Sequence, residues 1–405
     1  MQVLWGSGGM LLILGLAFLF STDRRAINPR TVIGALVITV AFAIMVLYWD
    51  FGRFLLNQLT KGIQAIIDAS NAGIQFLFGG VLDLEGVGFV FAFQVLPVII
   101  FFSSLMSVLY YLGIMQWIIR LLGGAIARLL RTSHAESLSA TANIFVGQTE
   151  GFLVVRPFVQ RMTRSELFCV MTVGLATVAG SVLIGYSLVG VPLNYLLAAS
   201  FMTFPAGILM AKIMVPETEP FDETNEEADI ADTESVNVID AAARGAAAGL
   251  NLALIVGALL IAFISLIALL NTILGFFGGL IGFPDLTFEL LLGYVFAPIA
   301  FVIGVPWSES VDAGNLIGQK TILNEFVAFT NFGARIGEFS DKAVAVITFA
   351  LCGFANFGSL AILLGGLAEI APGRRADIAK LGLRSILAGT LANLLNAAIA
   401  GMLIG

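Results

Sequence analysis

Charge is what this sequence has least of. Only 12% of its 405 residues are Asp, Glu, Lys or Arg. That is about half the share of an ordinary soluble domain, too little to give a globule of this size a polar surface. Cysteine and histidine are scarcer still, with two Cys and one His in the whole chain. Cys169 and Cys352 lie far apart inside apolar segments and read as small packing residues rather than a disulfide, redox pair or metal site. His134 alone offers too little for a metal centre. Basic excess is absent too: 20 Lys and Arg stand against 27 Asp and Glu, a net charge of −7. A secreted disulfide scaffold, a basic nucleic-acid binder and a disordered chain are all excluded. What is present is 59% hydrophobic residues and a mean hydropathy of +0.99. The apolar blocks are continuous and roughly 20 residues long, as helical membrane spans require. They lack the alternating runs of about ten residues that build membrane barrels. The chain reads as an all-α integral membrane protein.

Eight segments read as full spans: Val3–Phe20, Thr31–Tyr48, Phe89–Leu112, Leu167–Val189, Tyr195–Val215, Leu250–Leu270, Ala343–Leu367 and Ile378–Ile404. The first is not read as a cleavable leader, because it has no basic start and is followed by Asp23, Arg24 and Arg25. Asp50–Gly80 carries Leu55, Leu56, Leu59, Ile63, Ile66 and Ile67 at helical spacing and is expected to lie along the membrane interface. Gln116–Val159 and Leu290–Ala334 fit no simple span, and each precedes one. The acidity is local. Residues 216–240 hold ten Asp and Glu and no Lys or Arg; without them the chain would be +3. That stretch reads as a solvated linker.

Basic residues test the topology. Arg24, Arg25 and Arg30, then Arg120, Arg128, Arg131, Arg156, Arg161 and Arg164, then Lys212, and finally Arg374, Arg375, Lys380 and Arg384 fall on one side only if both irregular stretches are re-entrant hairpins. Eight spans and two opposed hairpins then put both termini outside. A weak repeat agrees. Asn143-Ile-Phe-Val-Gly-Gln-Thr-Glu150 precedes a span interrupted at Ala176-Thr177-Val178-Ala179-Gly180-Ser181. Asn324-Glu325-Phe326 precedes one interrupted at Ala355-Asn356-Phe357-Gly358-Ser359. Glu150 to Thr177 is 27 residues, and Glu325 to Asn356 is 31. Inverted repeats with broken helices that meet at the bilayer midplane are the architecture of secondary transporters.

The polar residues of these motifs are the candidate site. Gly147-Gln148-Thr149-Glu150 places an ionisable group at membrane depth, where insertion costs about 2.5–3.5 kcal/mol, on irregular backbone tolerated only where it lines a cavity. Glu325 is the second such acid. Asn356 and Ser359, three apart, share one helical face, with Phe354 as an aromatic wall. Carboxylates, amides and hydroxyls suit a neutral, polyhydroxylated ligand with amide-like edges, and the absence of Lys and Arg within the motifs argues against phosphate or carboxylate substrates. Asn143, Thr177 and the carbonyls near Val146 and Val178 are hard oxygen donors without a carboxylate, which suits a monovalent cation.

These motifs resemble the concentrative nucleoside transporter family. The pieces that carry the resemblance are Ala142-Asn143-Ile144-Phe145-Val146-Gly147-Gln148-Thr149-Glu150, Asn324-Glu325-Phe326-Val327-Ala328 and Cys352-Gly353-Phe354-Ala355-Asn356, and it extends over nearly the whole chain. It implies a homotrimeric, Na⁺-coupled nucleoside symporter of a bacterial inner membrane, with no organic cofactor and no catalytic residue. Its substrates would be uridine, cytidine and adenosine. By the family motif Gln148, Thr149 and Glu150 would face the nucleobase, and Gly147 and Val182 would also bind substrate. Glu325, Asn356 and Ser359 would hold the ribose beside Phe354, and Asn143, Val146, Thr177 and Val178 would bind Na⁺. The resemblance also implies an elevator mechanism. Residues 1–112 and span 6 (within 216–283) would be the scaffold, and 113–215 and 284–405 would form the moving transport domain. Two departures stand out. Gly151-Phe152 occupies the place where relatives carry a small residue and then Pro, and Ile255 stands where relatives often have Asn. Proton coupling through Glu150 or Glu325, a passive channel and an intramembrane nucleoside-processing enzyme are the rival expectations.

Overall fold

The computed structural model describes residues 2–82, 84, 89–145, 147–156, 158–219 and 235–404, and among them there are helices and no strands. The first half runs α1 (Gln2–Leu19), α2 (Pro29–Ala43, continued by a π-helical turn over Ile44–Tyr48), α3 (Asp50–Leu82), α4 (Phe91–Gln94), α5 (Leu96–Tyr111), α6 (Ile114–Leu130), α7 (His134–Ala142), α8 (Gln148–Val154), α9 (Arg164–Ala176), α10 (Gly180–Leu188) and α11 (Leu193–Met214). The second half runs α12 (Val238–Leu280), α13 (Phe288–Val302), α14 (Ser310–Ile322), α15 (Glu325–Ala334), α16 (Asp341–Leu351), α17 (Phe357–Ile370) and α18 (Arg375–Leu403).

The expected interruptions are real helix breaks. The fourth span ends as a helix at Ala176, where Thr177 turns extended (ψ 172°), and resumes at Gly180. The β-branched pair Thr177-Val178 has poor helix propensity, and the Thr177 hydroxyl donates back to the Val173 carbonyl at 2.9 Å. The seventh span breaks between Leu351 and Phe357, where Asn356 caps the new helix by accepting from the Ser359 N–H at 2.7 Å. The order of a long helix, two short helices, a broken helix and an unbroken helix therefore occurs twice, as α6–α11 and as α13–α18. α6 and α7 pack together, as do α13 and α14, where Gly314 and Gly318 sit directly against Gly293 and Leu292.

The segment assigned to the interface is one unbroken amphipathic helix, α3, which is also long and apolar enough by composition to cross a membrane. One expectation comes out differently. Leu290–Ala334 is not irregular throughout: it starts inside the regular helix α13. Most of the acidic stretch, 220–234, lies outside the described residues. Its flank is anchored: Glu217 accepts from the Thr163 hydroxyl at 2.9 Å and lies 3.6 Å from Lys212. Cys169 and Cys352 are free and fully buried, as expected of packing residues.

Burial divides the helices into two groups. The most apolar windows of the α9–α10 and α11 spans are 94% buried and that of the last span 78%, against 17–28% for α2, α3, α5 and α12. One set of helices is wrapped almost wholly in protein, while the other turns apolar side chains such as Leu254, Ile261 and Leu269 outward. Ile255 also turns outward, at 52% exposure.

Candidate functional site

Four interrupted segments meet, joined in series by two backbone and two side-chain hydrogen bonds. At the α7–α8 tip, the Phe145 carbonyl accepts from the Gly180 N–H at 3.3 Å. That contact seats the tip on the α9–α10 break. From the other side of this break, the Thr177 carbonyl accepts from the Phe354 N–H at 3.1 Å. The two helix breaks therefore touch. The α16–α17 break then reaches the α14–α15 tip, where Asn356 Nδ2 donates to Glu325 Oε2 at 2.7 Å. Tyr186 of α10 closes the circuit by donating its hydroxyl to Glu325 Oε1 at 3.2 Å.

Each acceptor is held by local chemistry. Glu325 is the first residue of α15, whose N-terminus favours a carboxylate, and Asn324 caps that helix by accepting from the Val327 N–H at 2.8 Å. Asn356 works twice: Oδ1 caps α17 and Nδ2 orients Glu325. Ser359 is one turn in, buried on the capped end. Phe354 is half-buried beside them. Tyr186 is fully buried, its ring stacked on Phe329 with centroids 4.2 Å apart and edge-on to Phe326. Its hydroxyl can hardly turn elsewhere.

The α7–α8 tip carries two orphans. Asn143 is fully buried; Nδ2 donates to the Ser139 carbonyl at 2.8 Å, while Oδ1 has no partner among the described residues. Gln148 is buried with Oε1 likewise without a partner. Orphaned buried acceptors are costly and call for a ligand, water or ion. Thr177 and Val178 are buried at the break that this tip touches, and Val182 is buried one turn into α10. Gly147 is half-buried just before α8. Val146, and the side chains of Thr149 and Glu150, lie outside the described residues. Hard oxygens from Asn143 and the Thr177 break could hold a monovalent cation.

The two departures at this tip have structural accounts. Phe152 adds no bulk to the site, because its ring is fully buried and packs on Gly174 of α9, where a Cβ would lie 3.1 Å from Cζ. Gly151 faces Asn143: a Cβ there would lie 2.5 Å from Oδ1. The bare glycine leaves room for that orphaned amide.

The comparisons with known proteins fit this geometry. Three family models match in sequence along the chain: the Na⁺-dependent nucleoside transporter N-terminus over residues 8–81, a nucleoside-recognition Gate over 92–192, and the Na⁺-dependent nucleoside transporter C-terminus over 195–401. The chain belongs to the Na⁺-dependent nucleoside transporter family. A Bacillus subtilis relative, the uncharacterized transporter YutK, is 55% identical over 100% of both chains. The Helicobacter pylori nucleoside permease NupC is 48% identical over 98% of this chain and 97% of that one. A solved structure of CNTnw in an inward-facing substrate-bound state superposes with a TM-score of 0.95 at 53% identity, covering 100% of this chain and 98% of that one. Members of the family are concentrative nucleoside transporters, not enzymes, and this one is a multi-pass membrane protein with several helices apolar enough to span.

Sequence reasoning missed Tyr186, Lys320 and Asn393. Tyr186 sits in an apolar run with nothing to distinguish it from a packing aromatic. Lys320 is four residues outside the Asn324-Glu325 motif, yet it is 1% exposed and donates to the Ala350 carbonyl at 2.9 Å and Asn393 Oδ1 at 2.6 Å. The expectation that no cation stands within the motifs holds only of the sequence. In space, an ammonium lies within electrostatic reach of Glu325.

Proposed function

We propose that this protein is a Na⁺-coupled nucleoside symporter that takes up uridine, cytidine and adenosine across a bacterial inner membrane, with both termini periplasmic. The observation that carries the reading is the 3.1 Å bond from the Phe354 N–H to the Thr177 carbonyl. That bond joins the α9–α10 break to the α16–α17 break. On this reading Na⁺ is held by Asn143, Val146, Thr177 and Val178. The ribose is held by Glu325, Asn356 and Ser359, with Gln148, Thr149 and Glu150 toward the base and Gly147, Val182 and Phe354 around it. A carboxylate held at both oxygens by Asn356 and Tyr186 keeps lone pairs for two ribose hydroxyls. Cation binding on one side then favours the substrate-competent arrangement on the other, so coupling is a difference in affinity between states.

The division by burial supports an elevator in which two opposed re-entrant hairpins, α7–α8 and α14–α15, travel with the well-wrapped α9–α11 and α16–α18. The outward-facing apolar helices α2, α3, α5 and α12 would form the fixed scaffold of a homotrimer. The test is labelled uridine uptake into proteoliposomes at equal pH, under an inward Na⁺ gradient against a choline gradient. Accumulation only with Na⁺ is expected. Equal accumulation with choline would overturn Na⁺ coupling, and accumulation under a pH gradient alone would give the role to protons.

A further inference from the structure

We propose that Lys320 and Asn393 are a positioning pair that transmits Na⁺ binding to the nucleoside site; this rests on the Na⁺-coupled reading above. The hydrogen bonds of both residues run to backbone carbonyls and to each other. Asn393 is fully buried on α18, and its Nδ2 donates to two carbonyls at once: Ala176, the last helical residue of α9, at 2.8 Å, and Cys352, just past the end of α16, at 2.9 Å. Its Oδ1 accepts from Lys320 Nζ, which also donates to the Ala350 carbonyl. One amide therefore straddles both helix breaks, and one ammonium ties that amide to α14, five residues before Glu325. Gly353 makes the approach possible. A Cβ there would stand 2.2 Å from Asn393 Oδ1 and 2.4 Å from the Ala176 carbonyl.

The chemistry suits the place. A helix C-terminus ends in unpaired carbonyls that carry roughly half a negative charge. Two such ends converge here, buried from water, so a buried cation and amide donors are what they require. Ala176 is followed directly by Thr177 and Val178, the break on the cation side. Cys352 is followed by Gly353 and Phe354, the break on the ribose side. A shift of the first break as its carbonyls turn toward an ion moves the Ala176 carbonyl. Asn393 and Lys320 pass that shift to Cys352, Ala350 and the α14–α15 tip. A pair that served only to satisfy buried carbonyls would stabilise the fold without linking the two sites.

The test measures linkage rather than activity. Uridine binding to the purified full chain in detergent is titrated with and without saturating Na⁺, and the ratio of the two Kd values is taken. That ratio does not depend on the fraction of protein that is folded. A coupling of ordinary size gives a ratio of about 5–150-fold. Asn393→Asp, Asn393→Ser and Lys320→Met should each bring it below about twofold. Asn396→Leu is the control: Asn396 is equally buried one turn along α18, but among the described residues its Nδ2 reaches Thr203 of α11, at 3.3 Å, and neither helix break. It should leave the ratio intact even where it lowers stability. The proposal is overturned if any folded Asn393 or Lys320 variant keeps the wild-type ratio, or if Asn396→Leu lowers the ratio as far. A wild-type ratio of one would instead overturn the Na⁺-coupled reading itself.

Discussion

Glu325→Gln separates substrate recognition from folding, because the surroundings of Glu325 tolerate an amide. Glutamine is nearly isosteric. Its oxygen can accept from Asn356 Nδ2, which now donates at 2.7 Å, and its NH₂ can donate to the Tyr186 hydroxyl, 3.2 Å away, since a phenol both donates and accepts. The Asn356 amide stays paired and the α14–α15 tip keeps its Asn324 cap, while the Tyr186 O–H gives up its acceptor. What is lost is charge at the two ribose hydroxyls. A hydrogen bond to an ionised group contributes about 1.5–3 kcal/mol, against about 0.5–1.5 for a neutral one. Two such bonds weaken together by about 2–3 kcal/mol, or roughly 30–150-fold in affinity. Uridine KM in proteoliposomes should rise by that factor, while the Na⁺ concentration for half-maximal uptake stays within about twofold. The variant should also lose most of its preference for uridine over 2′,3′-dideoxyuridine, because the deoxy compound never made those bonds. A uridine KM within threefold of wild type, or an unchanged preference against the dideoxy compound, would refute the assignment of Glu325 to the ribose.

Asn143→Leu should do the reverse: the Na⁺ requirement rises at least tenfold or coupling is lost, while uridine KM at the highest Na⁺ moves less, as read from uptake over a Na⁺ series. At the other end of α7, Lys212→Met leaves Glu136, 1% exposed and 2.5 Å from the ammonium, without its counter-charge. Orphaning a buried partner costs about 3–5 kcal/mol, so the melting temperature in detergent should fall clearly, and Glu136→Gln in the same chain should recover most of the loss. Arg335→Ala removes ion pairs to Asp312 and Glu338 whose side chains are 40–58% exposed. Such pairs contribute about 0–1 kcal/mol, so thermal stability should barely change. Gly333→Ala should be the costly small substitution, because its Cβ would meet the Val189 carbonyl at 1.9 Å. Backbone must move there, and the melt should report a loss of about 1–3 kcal/mol.

Much of the fold was legible because lipid makes composition decisive. Apolar length marks a span, and a polar interruption inside one marks a break: Thr177 and Asn356 were both found that way. Glu325, Asn356 and Asn143 were found by the same logic, being polar where polarity is expensive. Where Phe152 points was not legible in the sequence; its ring turns into α9, where Gly174 leaves it room. α3 was set apart by its amphipathic pattern, but length and composition also allow it to cross. A pattern of apolar faces does not distinguish a helix lying on a membrane from one whose polar face packs on protein.

Lys320 and Asn393 were missed for a different reason, and it bears on how such a site is held. Neither lies in one of the motifs: Lys320 stands between Gln319 and Thr321 in α14, and Asn393 shares α18 with Thr390 and Asn396, so nothing in the sequence sets either apart. Their partners are backbone carbonyls of Ala176, Ala350 and Cys352, and a carbonyl leaves no trace in a sequence. Every helix break in an apolar interior creates such acceptors, so every break needs donors from elsewhere in the chain. The donors come from α14 and α18, at 144 and 217 residues' separation from Ala176. A search for chemistry-bearing residues near the motifs finds the groups proposed to meet the ligand. The groups that hold two breaks at a fixed spacing are found only by asking where each unpaired carbonyl is satisfied.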